Sequence, residues 1–253
     1  MKKILITLML LTSFSANAQE PLDPYYTAEE MAKSRAMLKK MTGGQNHLFV
    51  LADRFEYQTA DDGALAWEVQ GWYGGDQNKI WFKSEAEYEF EEKKFEEGNV
   101  ELFYSRAIAP YFDFQAGVKQ DFNAGPRRTY ATVGILGLAP YWFEVDGSLQ
   151  VSNKGDISAN FEVEYELLLS QRIILQPLVE LIFNFQDVPE LGIGAGLSNF
   201  EVGLRLRYEI KREFAPYIGV SWGKSLGDNA NFAREHDHNA SKTTFVAGIR
   251  AWY

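Results

Sequence analysis

The sequence predicts an all-β fold: a transmembrane, antiparallel, up-and-down β-barrel of about twelve strands, preceded by a short N-terminal helical segment. Three observations carry this expectation. The final segment, Thr243 to Tyr253, alternates without a slip, with Phe245, Ala247, Ile249, Ala251 and Tyr253 on one face and Thr244, Gly248 and Arg250 on the other. An apolar face ending on an aromatic suits a strand whose outside meets lipid and whose inside meets polar filling. Second, aromatic residues make up 15% of the chain and recur in strand-like segments, while no apolar run beyond the N-terminus approaches the roughly 20 residues of a spanning helix. Third, Lys2 and Lys3, the apolar stretch Ile4 to Leu11 and Ala16-Asn17-Ala18 read as a signal peptide over residues 1–18, cleaved before Gln19. An exported chain without spanning helices satisfies its backbone in lipid by closing into a barrel.

Residues 19–45 form a separate N-terminal segment expected in the periplasm. Pro21 and Pro24 open it, Thr27-Ala28-Glu29-Glu30 resembles a capping box, Ala28 to Met41 favours helix, and Gly43-Gly44 ends it. The barrel domain then runs over 46–253. Its strands are expected at 47–58, 64–73, 79–90, 99–108, 111–121, 129–138, 140–151, 157–169, 173–185, 200–210, 214–225 and 243–253.

Several of these segments are two-faced. In the third, Ile80, Phe82, Ala86, Tyr88 and Phe90 oppose Lys83, Glu85, Glu87 and Glu89; in the seventh, Tyr141, Phe143 and Val145 oppose Trp142, Glu144 and Asp146. In the eighth, Phe161, Val163, Tyr165 and Leu167 oppose Glu162, Glu164 and Glu166; in the tenth, Val202, Leu204, Leu206 and Tyr208 oppose Glu201, Arg205, Arg207 and Glu209. A soluble barrel with an apolar inside would reverse these faces, and a small one has no means of burying so many carboxylates. The links alternate in length: 59–63, 91–98, 122–128, 152–156, 186–199 and 226–242 at one end, and 74–78, 109–110, the junction at 139, 170–172 and 211–213 at the other. That asymmetry matches longer external loops and tight periplasmic turns.

Charge and composition narrow the function. Without Lys2 and Lys3 the 25 basic residues become 23, against 35 acids, a net charge of −12. Such a balance excludes nucleic acid as a partner and agrees with cations. With no cysteine, disulfides, thiolate metal sites and cysteine nucleophiles are excluded.

Three groups of residues carry candidate chemistry. Luminal acids, among them Glu85, Glu87, Glu144, Asp146, Glu164 and Glu180, form a cation-attracting path or oxygen ligands for a metal, or else pair with Lys83, Arg205 and Arg207 and simply fill the lumen. After the signal peptide the only methionines are Met31, Met37 and Met41, with His47 close behind. Met37 and Met41 stand i, i+4 on one helical face, which suits a soft ion such as Cu(I) and equally suits plain packing. His236-Asp237-His238 in the last long loop offers imidazoles and a carboxylate to a divalent ion, to a protease-like rim site, or to solvent. Ser84, Ser105 and Ser221 have no histidine on a neighbouring strand segment, so nucleophilic serine chemistry has no base. No enzyme is expected.

The strings Asp53-Arg54-Phe55-Glu56, Gly71-Trp72-Tyr73-Gly74-Gly75-Asp76 and Leu102-Phe103-Tyr104-Ser105-Arg106-Ala107-Ile108-Ala109-Pro110 are followed by Gly137 to Val145, Glu164 to Leu169, Leu204 to Ile210 and Arg212 to Val220. In that order they resemble the copper-resistance protein B family from about Asp53 onward. The resemblance implies an outer-membrane barrel of a Gram-negative cell, embedded in outer-membrane lipid. It also implies a place beside a periplasmic multicopper oxidase in copper tolerance, with copper ions sequestered or passed outward. Typical members carry a long methionine- and histidine-rich N-terminal tail, and here only Met31, Met37 and Met41 remain, so a large copper reservoir is not expected. A passive barrel or small pore without metal preference is the alternative.

Overall fold

The computed structural model describes residues 25–253 apart from 43, 60–62, 92, 123–125 and 236–239. The signal-peptide reading of 1–18 and the His236-Asp237-His238 motif lie outside the described residues. The chain divides into two compact units, one ending at Gly44 and one spanning Gln45–Tyr253.

The first unit holds helix α1 (Ala28–Thr42). Its start is a reciprocal capping box: the Glu30 amide donates to Thr27 Oγ1 at 3.3 Å and the Thr27 amide to Glu30 Oε2 at 2.9 Å. Glu29 and Glu30 in the first turn and Lys39 and Lys40 in the last complement the helix dipole.

The second unit is the barrel. Its strands are β1 (His47–Gln58), β2 (Ala64–Gly74), β3 (Asn78–Glu89), β4 (Lys94–Ala109), β5 (Phe112–Asp121), β6 (Thr129–Ala139), β7 (Phe143–Ser152), β8 (Ile157–Glu164), β9 (Leu167–Leu168), β10 (Ile173–Asn184), β11 (Gly196–Tyr208), β12 (Phe214–Ser225) and β13 (Ser241–Trp252), with a short helix α2 (Gly227–Glu235) before the last. Successive strands pair antiparallel, and β13 returns to β1, for example with Tyr57 opposite Ala247. The two-residue β9 lies on the same side of β10 as β8, so the sheet closes as twelve staves, as the sequence pattern predicts.

The faces also agree. Along β11, Leu204, Leu206 and Tyr208 are exposed while Arg205, Arg207 and Glu209 are buried; Leu206 is 40% exposed and Arg207 beside it 2%. A protein whose leucines face outward and whose arginines are enclosed has been turned inside out relative to a soluble fold, which fixes lipid as the outer solvent.

Four expectations about element bounds are corrected. Residues 140–142 are not strand but a tight turn in which Tyr141 and Trp142 both adopt positive φ, +69° and +67°. Pro140 supplies no amide to a ladder, and the two rings project at the short-turn rim, Trp142 edge-on to Tyr111 at 6.1 Å. The expected strand 157–169 breaks between β8 and β9 because Pro177 of β10 lies opposite the gap: the Tyr165 amide reaches Pro177 O at 3.1 Å, but proline has no N–H to return the bond. The expected loop 91–98 shrinks because β4 already begins at Lys94, where Phe95 packs edge-on against Trp67, Tyr88 and Phe122. Likewise β11 starts at Gly196 rather than 200.

One irregularity shapes the lumen. In β1, Ala52 pairs with Val69 and Arg54 with Glu68, leaving Asp53 as an extra residue. This bulge lets two consecutive charged side chains point inward: Arg54 Nε donates to Glu68 Oε2 at 2.6 Å, while Asp53 accepts from Arg250 Nε.

Candidate cation path in the barrel lumen

Strand alternation lines the barrel interior with acids, and strand register sets their order. Asp146 of β7 stands opposite Glu162 of β8, Glu162 opposite Glu180 of β10, and Glu180 opposite Glu201 of β11. The row continues through Gly223 of β12 to Lys242 of β13. On the facing wall Glu68 of β2 stands opposite Glu85 of β3, and nearer the short-turn end Glu144 of β7 stands opposite Glu164 of β8. Like charges in direct cross-strand register work against pairing, so this arrangement is not what packing alone would select.

Some of the acids are neutralised by ion pairs. Arg54 bonds Glu68 and lies 3.6 Å from Glu85; Lys119 lies 3.6 Å from Glu101; Lys83 bonds Asp146. Toward the short-turn end Arg250 joins Asp53 and Glu166, and Arg207 Nη2 donates to Glu166 Oε1 at 2.6 Å and Nη1 to Gln176 Oε1 at 2.7 Å. Across β1, β11 and β12, Arg205 holds both oxygens of the buried Glu56.

Among the described residues, two cavities that share part of their lining lie in the lumen. An inner chamber of about 80 Å³ is bounded by Glu68, Lys83, Glu101, Gln115, Asp146 and Glu162, among others. An outer vestibule of about 250 Å³ reaches Gln58, Glu87, Glu201, Ser221, Lys242 and Thr244. Arg54, Glu85, Asn99, Lys119, Asn160 and Glu180 line both. Eight acids and four bases line the two together. Each volume is well above the roughly 10–15 Å³ that one water requires. The chambers are roomy enough for water, polar and net negative.

Aromatic rings form a further luminal patch where β13, β1, β2 and β3 meet at the short-turn end. Phe49 lies 6.1 Å from Trp72 and 6.2 Å from Trp252, and Trp72 lies 6.3 Å from Trp81. Lys79 sits over the Trp72 ring and ion-pairs with Asp113 at 2.6 Å.

The structure brings only part of the expected ligand set together. Glu85 and Glu180 line both cavities, Glu87 the outer and Asp146 the inner. Glu144 and Glu164 sit together further toward the short turns. Met37 and Met41 are exposed on α1 and Met31 is half-buried, within the first unit; His47 starts β1 in the second, opposite Gly74. Among the described residues no three His, Asp or Glu side chains converge closely enough to hold a bare metal ion. Glu68, Glu101, Asp53 and Glu56 are luminal charges beyond the acids picked out from the sequence. The adjacent pair Asp53-Arg54 breaks the alternation of β1 and is the signal for the bulge that turns both inward.

At the long-loop rim Arg128, itself buried, donates to Asp156 Oδ2 at 3.1 Å and to Glu190 Oε2 at 3.0 Å, tying three loops together. Partial burial raises the Asp156 carboxyl, but the Ser152 hydroxyl and the Arg128 guanidinium outweigh it and hold the group below the ordinary aspartate range.

An apolar outer wall, a charged interior and short turns at one end define an outer-membrane β-barrel protein. Residues 46–253 match the family described as copper resistance protein B precursor (CopB). The copper resistance protein B homolog of Pseudomonas syringae pv. tomato is 38% identical over 244 residues, covering 94% of this chain and 81% of that protein. Copper resistance protein B of Escherichia coli is 43% identical over 205 residues, 81% of this chain and 69% of that protein. The chain belongs to the copper resistance protein B family, and its role lies in copper resistance. The solved NanC porin superposes with a TM-score of 0.53 at 13% identity over 81% of this chain and 99% of that one. The KdgM porin in complex with disordered oligogalacturonate gives 0.50 at 10% identity over 80% and 98%. At such identities these likenesses speak for the fold alone.

Proposed function

We propose that the protein binds copper ions arriving from the periplasm and carries them into the barrel lumen, sequestering them or passing them outward, without enzymatic chemistry. The observation that carries this reading is the unbroken row of cross-strand carboxylates in a family associated with copper resistance. The chain is taken to be exported by a signal peptide cleaved after residue 18, to sit in outer-membrane lipid, and to work beside a periplasmic multicopper oxidase.

In this reading the thioethers of Met37 and Met41, one helical turn apart, take Cu(I), with Met31 as a further ligand on the same helix, and His47 at the start of β1 is a separate imidazole donor. Glu85, Glu87, Glu144, Asp146, Glu164 and Glu180 supply harder oxygen ligands suited to Cu(II), and His236 and His238 offer imidazoles in the last long loop. The test is copper tolerance of a strain lacking the gene, with and without the protein restored. Loss on deletion and recovery on expression are expected; full tolerance in the deletion strain removes the proposal. A Cu(I) titration of the mature protein, weakened in Met37→Ala with Met41→Ala, tests the helix separately.

A passive barrel is the second reading, favoured by the ion pairs that bridge the lumen, Lys83 to Asp146 and Arg205 to Glu56. It predicts unchanged copper tolerance together with an intact outer-membrane barrel.

A further inference from the structure

We infer that the carboxylate row Asp146, Glu162, Glu180 and Glu201 is a binding site for a divalent cation that keeps its water shell, so that the barrel receives copper as Cu(II) and takes other hydrated divalent ions by the same contacts. This rests on reading the lumen as the copper path and narrows that reading to copper that enters the lumen already as Cu(II), with no redox step linking it to Cu(I) held by the methionines of α1.

These four acids occupy directly opposed positions on the adjacent staves β7, β8, β10 and β11. Opposed like charges oppose strand pairing. Asp146 has Lys83, but among the described residues no ion pair reaches Glu162, Glu180 or Glu201. Glu180 receives one hydrogen bond from Asn160 Nδ2 at 3.2 Å. The other cations facing the row are Arg54, already held by Glu68 and close to Glu85, Lys119 beside Glu101, and Lys242 at its outer end. The row is an excess of negative charge along one side of the two chambers.

Unpartnered polar groups face the same chamber. Gln115 is 2% exposed, lines the inner chamber, and its side-chain Nε2 has no partner; the Oδ1 of Asn160, which lines both cavities, also has none. Buried amides left unbonded cost free energy and call for a ligand or water. A hydrated cation supplies both missing partners, since waters of its first shell donate to Asn160 Oδ1 and to the carboxylates, and a water of its outer shell accepts from Gln115 Nε2.

The donors present separate a hydrated ion from a bare one and Cu(II) from Cu(I). No three acidic or imidazole side chains among the described residues come close enough to coordinate a metal directly, so the ion's inner ligands are water. The barrel segment 45–253 contains neither methionine nor cysteine; with no sulfur donor it has nothing that prefers Cu(I).

The test uses the full mature chain refolded in detergent and freed of metal, titrated with Mn²⁺, which reports its own hydration by paramagnetic resonance. Rising Mn²⁺ is expected to raise the thermal unfolding midpoint. In the Glu162→Gln, Glu180→Gln, Glu201→Gln variant the half-saturating Mn²⁺ concentration is expected to rise about tenfold or more, and the metal-free variant to unfold at a higher temperature than the metal-free parent. Bound Mn²⁺ is expected to retain exchangeable water protons in its first shell. No midpoint shift in the parent, an unchanged titration in the variant, or bound Mn²⁺ stripped of water overturns the inference. If the triple variant does not refold, Glu201→Gln alone, at the outer vestibule, is read by the same titration, and an unchanged curve overturns the inference. A normal Mn²⁺ response with no effect of the protein on copper tolerance removes the copper reading but not the site; intact copper tolerance without any Mn²⁺ response removes the site alone.

Discussion

Arg205 donates to both carboxylate oxygens of Glu56, Nε to Oε2 and Nη2 to Oε1 at 3.0 Å each, and joins β11 to β1 across the lumen. Tyr217 adds its hydroxyl to Oε2 at 2.8 Å, and all three residues are buried. A bidentate pair with its remaining lone pairs occupied is the geometry in which an enclosed ion pair recovers its desolvation cost. Removing one partner leaves a charge with no counterpart. Glu56→Gln is therefore expected to destabilise the folded barrel by about 3–5 kcal/mol, and Tyr217→Phe by about 1.5–3 kcal/mol. Denaturant unfolding in lipid vesicles measures both; a loss below about 1 kcal/mol for Glu56→Gln contradicts this role.

The bulge at Asp53 predicts that its deletion is tolerated. Leu51 and Asp53 face inward before the bulge and Arg54 and Glu56 after it, so removing residue 53 joins Ala52 to Arg54 and restores simple alternation with both halves of β1 on their present faces. The deletion is expected to assemble, read as a retained heat-sensitive folded band on a gel, and to leave Arg250 with Glu166 at 3.1 Å. Asp53→Asn, which keeps the extra residue, is expected to assemble as well. Loss of the folded band in the deletion alone contradicts the assigned inward direction of both Asp53 and Arg54.

The fold was legible in the sequence because a barrel in lipid enforces a strict two-residue period with a sign opposite to that of a soluble core. Faces such as Leu204 and Leu206 against Arg205 and Arg207 follow from that alone. What was not legible depends on partners distant in the chain. The break after Glu164 is caused by Pro177 on the next stave, and the turn at Tyr141 and Trp142 needs a backbone region that aromatic residues rarely adopt. The same division holds for the site. Alternation put Glu162, Glu180 and Glu201 inside, but only strand register placed them opposite one another. Glu56, in the string Asp53-Arg54-Phe55-Glu56, gains its meaning only beside Arg205.

Depth in the membrane sets the cost of placing a charge on the outer wall. Leu204 lies within β11 and Tyr208 at its short-turn end, both exposed on the outer face. Leu204→Arg is expected to cost about 2–4 kcal/mol in folding into vesicles, and Tyr208→Arg about 0–1 kcal/mol. Equal penalties at the two positions contradict the assigned lipid span.

Acid should loosen the external rim before it affects the barrel wall. Asp156 binds Arg128 and accepts from Ser152 Oγ at 2.8 Å, and the Ser152 hydroxyl in turn accepts from the amides of Lys154 and Asp156 at 3.0 and 3.1 Å. Because the Asp156 carboxyl titrates below its unfolded value in the closed loop, its contribution is complete above the unfolded value of about 3.9. It is lost as pH falls through the lower folded value. Exchange protection of the Lys154 and Asp156 amides is expected to be the same at pH 7 and pH 5, after allowing for intrinsic rates, and to drop below about pH 3.9. Asp156→Asn, which keeps the shape but not the charge, is expected to show weaker protection at neutral pH and no acid step. An acid step of equal size in the variant assigns the change to another carboxylate and removes Asp156 as the rim's titrating group.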